Sequence, residues 1–137
     1  MFEVQPYSHD AHFDLISKWL VAHDVYVPKK AEYPEHGVVC YKDETPVAAA
    51  FLRRVEGSYA QIDGLVSNPM SGSSTRNECI DIVVLRIMKK ARELGIIQLF
   101  AISTDSNTLL RSNRHGFTLL PHQVIVTTLK SMRQEGI

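Results

Sequence analysis

The chain has 137 residues, of which 45% are hydrophobic and 22% charged, and its 15 basic residues balance 15 acidic ones. This length suits one domain with its own core and is too short for two. A net charge of zero provides no sequence-wide basic field, which argues against nucleic acid or an anionic membrane as a partner. We therefore expect a single domain over 1–137, with a polar tail over about 130–137.

The cysteines and the N-terminus indicate a cytoplasmic protein. Cys40 and Cys79 stand in separate apolar contexts without CxxC spacing, so both are expected to be reduced and semi-buried. The first residues, MFEVQPYSHD, lack the basic and then apolar pattern of a signal peptide. No apolar run approaches the roughly 18 residues that a membrane span needs.

The N-terminal part of the chain predicts a strand, a helix and an irregular segment. Residues 2–5 alternate apolar and polar side chains, which indicates a short strand. Ser8 is a suitable N-cap for a helix that ends near His23. Residues 25–34 contain two prolines, so no long regular element is expected there.

The remaining elements predict a meander followed by a βαβ unit. Three strands separated by polar turns are predicted over 37–41, 46–55 and 59–67. Their short connections indicate antiparallel pairing. A long amphipathic helix over 76–94 then leads to a strand over 96–102, which such a crossover makes parallel to 59–67. The last predicted elements are a short helix over 107–113 and strands over 117–120 and 124–129.

A loop of small polar residues leads directly into the long helix. In βαβ units this is where phosphate binds, because the helix N-terminus offers N–H groups and a positive dipole end. Thr75 and Glu78 have the spacing of a capping box, which would use the same N–H groups within the protein. Arg76 opposes the dipole by roughly 0.3–1 kcal/mol, an arrangement that suits a bound anion or a side chain in water. The residues leave both interpretations open.

Three stretches carry a resemblance to a known superfamily. They are QIDGLVSNP (61–69), the loop and helix over 70–95, and SNTLLRSNRHGF (106–117). Together with the element order, they resemble the GNAT superfamily of N-acetyltransferases over nearly the whole chain, as a small member with a degenerate loop such as phages encode. The resemblance implies an α/β fold of the α+β kind. A single mixed sheet of about 6–7 strands would be flanked by 3–4 helices.

The resemblance also implies a reaction: transfer of an acetyl group from acetyl-CoA, as co-substrate, to a primary amine of a small molecule or a protein. In the family the pantetheine arm lies against the fourth strand, which corresponds to Leu65, Val66 and Ser67. The pyrophosphate lies on the following loop. The matching loop residues are Gly72, Ser73, Ser74, Thr75, Arg76 and Asn77. Asn107 resembles the family's asparagine near the start of the short helix and is expected to bond the CoA arm.

The chain departs from the family pattern at several positions. The family loop, Arg/Gln-x-x-Gly-x-Gly/Ala, keeps only Gly72 here, slightly off register. Gln61 stands where the family carries glutamate, so Asp63, on the same face of the strand, is the candidate base. Ser112 stands where many members have the tyrosine that acts as general acid.

Other residues are candidates for the missing roles. Ser112, His115 or Tyr26 is expected to supply the acid in place of the absent tyrosine. Tyr26, Tyr33 and His36, from the irregular segment, are expected to shape the acceptor site. The pair His9 and His12 has two aspartates nearby but no further ligand cluster, so no metal site is expected.

Two functions remain open from the sequence. One is an active N-acetyltransferase, which the strand–loop–helix arrangement favours. The other is a catalytically inactive GNAT-fold binding or structural protein, for example of a phage, that no longer uses CoA. The joint loss of the loop glycines, the glutamate and the tyrosine favours this alternative. Because homodimers are common in the family, we also expect that two copies could associate through the late strands (117–129).

Overall fold

The computed structural model describes residues 1–103, 106–120, 125 and 127. By their internal packing the residues form two compact units, 1–103 and 104–137. The expectation of one domain over 1–137 stays a prediction, and the tail over 130–137 lies outside the described residues.

The first unit contains a five-stranded sheet and two α-helices. Its elements are β1 (Phe2–Pro6), α1 (His9–Ala22), a 3-10 turn (Lys30–Glu32), β2 (His36–Lys42), β3 (Thr45–Arg54), β4 (Tyr59–Ser67), α2 (Ser73–Glu93) and β5 (Gln98–Phe100). The strands lie in the order β1-β2-β3-β4-β5. Neighbours from β1 to β4 pair antiparallel, and β4 and β5 pair parallel. The predicted meander and βαβ unit are therefore confirmed.

The second unit contributes one described helix, α3 (Ser106–Arg114). The strand predicted over 117–120 is wrong, because these residues follow α3 in irregular backbone and leave Leu119 and Leu120 exposed. An apolar run forms a strand only where a partner supplies hydrogen bonds. Of the strand predicted over 124–129, only residues 125 and 127 lie among the described residues.

The core of the first unit forms on both faces of β3. This central strand is buried continuously from Val47 to Leu52, because its side chains face alternately towards α1 and α2. On one face α1 packs Ile16, Trp19 and Leu20 against Phe51 and its neighbours. The other face is covered by the buried side of α2, which comprises Cys79, Val83, Val84, Ile87 and Ala91.

Phe51 fills space that side chains of the adjacent strands would normally occupy. A Cβ built on Gly37 of β2 would lie 2.4 Å from the Phe51 ring, and one built on Gly64 of β4 would lie 2.8 Å from it. The two glycines therefore let one large aromatic residue span three strands of the sheet. Tyr7 and Tyr33 pack on the same ring, with centroids 4.8 and 5.0 Å away.

Both cysteines of the chain lie in the core of the first unit. Cys40 and Cys79 are free and fully buried, and burial, with the neighbouring Cys79, raises the pKa of Cys40 to about 12. The Cys40 thiol is therefore protonated at neutral pH and does not act as a nucleophile.

None of the helices in the described part of the chain has the length and apolarity that crossing a bilayer demands.

His12 is a buried polar residue whose hydrogen bonds fix its protonation state. The Ser8 backbone N–H donates to its Nδ1 at 3.0 Å, and its Nε2 lies 2.8 Å from the Tyr41 hydroxyl. Because Nδ1 accepts, the proton of the neutral ring is on Nε2. Burial lowers the pKa of His12, since a charged ring is costly in an apolar core.

We expect acid to destabilise the fold through His12. A group whose pKa is lower in the folded state than its ordinary value of about 6.5 takes up protons preferentially on unfolding, so its contribution is lost as pH falls below that value. At pH 8 the free energy of unfolding of His12→Leu should be about 1–3 kcal/mol below that of the wild type, because the Ser8 N–H and the Tyr41 hydroxyl lose their partner. On going from pH 8 to pH 5, however, the free energy of unfolding should fall less for His12→Leu than for the wild type. Urea unfolding at both pH values measures this. An acid dependence equal to that of the wild type would contradict it, and the exposed His9→Gln serves as control.

Candidate functional site

The open edge of β4 defines the candidate site. β4 and β5 pair at only three positions, from Tyr59↔Gln98 to Gln61↔Phe100. β4 continues for six more residues to Ser67, whereas β5 ends at Phe100. The predicted strand over 96–102 is therefore shorter than expected, because its chain leaves β4 at a fork. Beyond the fork, the edge of β4 over 62–67 has no strand partner among the described residues.

A β-bulge follows directly after the fork. The register of β3 against β4 passes from Phe51↔Asp63 to Ala49↔Val66, so two residues of β4 lie opposite one residue of β3. The inserted pair includes Gly64, whose φ of 61° is in the left-handed region. The bulge changes which side chains of β4 face α1, and Val66 consequently packs in the same core cluster as Trp19.

Asp63 lies at the start of this bulge and is held on both carboxylate oxygens. Arg53 Nε donates to Oδ2 at 2.7 Å, and the Gly64 backbone N–H donates to Oδ1 at 2.9 Å. The Arg53 side chain also donates through Nη2 to the Glu32 carbonyl at 2.8 Å. The ion pair is accessible from solvent, with 45% of Arg53 and 35% of Asp63 exposed.

The segment between α1 and β2 borders this open edge. At one end the His23 Nε2–H donates to the Ser67 carbonyl at 2.8 Å. At the other end Arg53 contacts Glu32. The segment is therefore tied to the end of β4 at Ser67 and, through the Arg53 side chain, to the surroundings of Asp63.

Tyr33 and Tyr26 have different positions in this segment. Tyr33 stacks on Tyr7 with ring centroids 5.2 Å apart, and its hydroxyl is buried without a hydrogen-bond partner among the described residues. Burial and the negative charge of Asp63 raise the pKa of Tyr33, so it is neutral. Tyr26 is 70% exposed and donates to the Glu32 carboxylate at 2.8 Å. This bond, with a smaller effect of desolvation, raises the pKa of Tyr26.

The structure brings together some of the predicted site residues and separates others. Asp63 and Tyr33 lie on the α1 side of the sheet near the fork. His36 instead lines a cleft of about 290 Å³ on the opposite side, with Arg86 and Lys90 of α2. The expected acceptor site over Tyr26, Tyr33 and His36 is therefore not one continuous surface, and the role of each residue stays a prediction.

The N-terminus of α2 begins earlier than predicted and has no capping side chain. The helix starts at Ser73 with Gly72 as N-cap, so the predicted start at residue 76 is wrong. The expected capping box is also wrong, because Thr75 already lies inside the first turn. The first intrahelical bond runs from the Arg76 N–H to the Gly72 carbonyl at 2.9 Å. The N–H groups of Ser73, Ser74 and Thr75 precede it and point out of a 21-residue helix.

Asn68 anchors the loop between β4 and α2, a role that the sequence analysis missed. Its N–H donates to the Val47 carbonyl at 2.7 Å, and its side-chain amide donates to the Pro46 carbonyl at 3.1 Å. Its Oδ1 accepts from the Met70 N–H at 2.9 Å. The signal was available in the sequence, because Asn-Pro favours the start of a turn. These bonds position the end of β4 directly before the start of α2.

The remaining predicted residues belong to the second unit. Ser112 Oγ donates to the Leu109 carbonyl within α3 at 2.7 Å. The helix ends near His115, and Gly116 adopts a φ of 85°. Asn107 lies exposed in the first turn of α3. The catalytic roles of Ser112 and His115 and the CoA contact of Asn107 stay predictions.

Solved structures similar to this chain establish its fold. They include a GNAT-family acetyltransferase, a further acetyltransferase, a probable acetyltransferase and a protein in complex with CoA. The chain therefore has the GNAT fold, and the prediction of this fold is confirmed. No family model and no curated protein matches the sequence.

Three of these structures illustrate the similarity. A GNAT-family acetyltransferase of Streptococcus pneumoniae is 10% identical with a TM-score of 0.71, covering 96% of this chain and 100% of its own. A Mycobacterium tuberculosis protein in complex with CoA and NLQ is 16% identical with a TM-score of 0.70, and the match covers 90% of this chain and 76% of that protein. N-acetylglutamate synthase of Neisseria gonorrhoeae, complexed with coenzyme A and N-acetyl-glutamate, is 21% identical with a TM-score of 0.62. The match covers 82% of this chain but only 28% of the length of that synthase.

The bulge at the site should depend on glycine at position 64. Gly64→Ala places a side chain at positive φ and 2.8 Å from Phe51, whereas Gly57→Ala meets only the positive φ of 96° and open space. We expect Gly64→Ala to be less stable than Gly57→Ala by about 1–3 kcal/mol, the usual cost of overpacking. Urea unfolding of both variants compares them. Equal losses would show that the Phe51 contact does not constrain the bulge.

Proposed function

We propose that this protein is an acetyl-CoA-dependent N-acetyltransferase that acts on a primary amine. The observation that carries the proposal is the continuity of the open β4 edge with the uncapped start of α2. Leu65, Val66 and Ser67 would receive the pantetheine arm along the edge. The pyrophosphate would then reach the N–H groups at the start of the helix, where the dipole favours an anion. CoA in the complexes of two proteins with this fold supports the proposal.

The residues present suit such a ligand although the loop lacks the family's glycines. The groups that would hold the phosphates are backbone N–H groups, which every residue except proline supplies. Ser73, Ser74 and Thr75 have small side chains, and no Cβ contact crowds Gly72. Acetyl-CoA would supply the thioester whose carbonyl carbon the acceptor amine attacks, and CoA would leave as the thiol.

Asp63 is the residue we assign to the acceptor amine. It lies two residues beyond the fork, next to the strand residues proposed for pantetheine. Its carboxylate is held in place by Arg53 and the Gly64 N–H, so it can accept a hydrogen bond from the amine without reorganising. We propose Tyr26, Ser112 or His115 as the acid that protonates the leaving CoA thiolate to the thiol. We also propose that the protein is cytoplasmic and that two copies associate through residues 117–129.

The backbone donor at the start of α2 can be tested by removing one N–H. Ser73→Pro deletes it at the first helical position, where proline is tolerated, and Gly72 has φ −63° and ψ 154°, which suits a residue before proline. A hydrogen bond to a charged group contributes about 1.5–3 kcal/mol, so acetyl-CoA should bind roughly 10- to 100-fold more weakly in calorimetry. Ser73→Ala keeps the N–H and should bind as the wild type does.

The calorimetric test also decides between the proposal and its alternative. Failure of the wild type to bind acetyl-CoA at millimolar concentration would overturn the proposal and favour an inactive binding or structural protein. Equal affinities of Ser73→Pro and Ser73→Ala would show that this helix end does not hold the phosphates.

The role of Asp63 can be tested separately from CoA binding. Asp63→Asn keeps the shape but removes the charge, and turnover should fall by roughly 100-fold or more, as is typical of a lost general base. Acetyl-CoA affinity should stay unchanged. Asp43→Asn is the matched control, since Asp43 pairs with the N-terminus in the β2–β3 turn. Turnover of Asp63→Asn within a few-fold of the control would remove Asp63 from the reaction.

A further inference from the structure

We propose that the acceptor is an α-amino acid, held with its amine at Asp63 and its carboxylate at Arg53. This inference rests on the proposed acetyl transfer and specifies its acceptor. It starts from the ion pair at the fork, in which a carboxylate and a guanidinium lie side by side, 2.7 Å apart at their nearest atoms.

Both charges of the pair face solvent beside the proposed acyl-transfer point. Arg53 is 45% and Asp63 35% exposed, so a small molecule can contact them together. In an α-amino acid one carbon separates the ammonium from the carboxylate. A zwitterion of this size places opposite charges against opposite charges, with the ammonium on Asp63 and the carboxylate on Arg53.

Arg53 retains hydrogen-bonding capacity for such a carboxylate. A guanidinium has five N–H groups, and the contacts with the described residues use one on Asp63 and one on the Glu32 carbonyl. These two contacts fix the plane of the guanidinium, so little side-chain entropy is lost when a ligand binds. The remaining N–H groups match the two oxygens of a carboxylate.

The hydrogen bonds of the Glu32 carboxylate are made by groups other than Arg53. The Glu32 carboxylate accepts from the Tyr26 hydroxyl at 2.8 Å and from the Lys29 N–H at 2.7 Å, and Arg53 contacts only the Glu32 main-chain carbonyl. An acceptor without a carboxylate would leave the remaining guanidinium N–H groups of Arg53 unused.

The test compares matched acceptors. Acetylation of the standard L-amino acids is measured, and each accepted one is compared with its α-amide, which keeps the amine and the side chain but lacks the charged carboxylate. We expect kcat/KM to be about 100-fold higher for the acid, because a site built for a polar group rejects the analogue that lacks it. Arg53→Gln should reduce this ratio to within a few-fold of one.

Arg54→Gln is the control, because Arg54 is the next residue along β3, pairs with Ala60 and faces the other side of the sheet. It should keep the wild-type ratio. If Arg53 only positions Asp63, then Arg53→Gln lowers kcat/KM equally for the acid and for the amide. The ratio of the two then stays at its wild-type value, which overturns the proposal. Should Arg53→Gln fail to fold, Arg53→Met removes the charge but keeps a long side chain, and an unchanged ratio there overturns the proposal equally.

The wild type distinguishes failure of this inference from failure of the proposed function. The wild type could bind acetyl-CoA but acetylate acid and amide with equal kcat/KM, or acetylate no amino acid. Either result would overturn the amino-acid acceptor and leave the proposed acetyl transfer standing. Absence of acetyl-CoA binding would overturn both.

Discussion

The separation of β5 from β4 after three residue pairs is the constraint on which the site depends. A strand inside a sheet normally satisfies its N–H and C=O groups on both sides, but β4 continues to Ser67 along an edge from which β5 has departed. The bulge at Gly64 lies on this stretch and is accommodated by Phe51, which packs where a side chain would otherwise be. The core on the α1 side and the open edge are thus parts of one arrangement, in which a ligand can take the place of a strand.

The second part of the site follows from where the loop after β4 ends. Asn68 fixes that loop to β3, and α2 begins at Ser73 with uncapped N–H groups. Because these donors belong to the backbone, substitution of the family's glycines by serine and threonine changes the space around the phosphates more than the number of donors. The degenerate loop that suggested loss of function from the sequence is therefore compatible with an anion site.

The sequence predicted the order of elements well, because each alternating or helical pattern is separated from the next by a clear turn, as at 42–45 and 56–58. It predicted less at the site. The start of α2 was misplaced because Thr75 and Glu78 mimic a capping box, and local sequence cannot decide between two overlapping starts. The Arg53–Asp63 pair depends on the register of β3 against β4, and His36 is separated from Tyr33 by the sheet itself. Two signals were visible in the sequence: an isolated glycine within a strand, Gly64, suggests a bulge, and Asn68 before proline suggests the start of a turn.

Backbone amide NMR during a titration with CoA can follow the proposed contacts residue by residue, because the backbone makes them. We expect chemical-shift changes at two separate places, Leu65–Ser67 on the open edge of β4 and Ser73–Thr75 at the start of α2. Changes at both places, saturating together, would show one ligand spanning strand and helix. Changes confined to another surface, such as the cleft between α2 and β1–β2, or none at millimolar CoA, would contradict it.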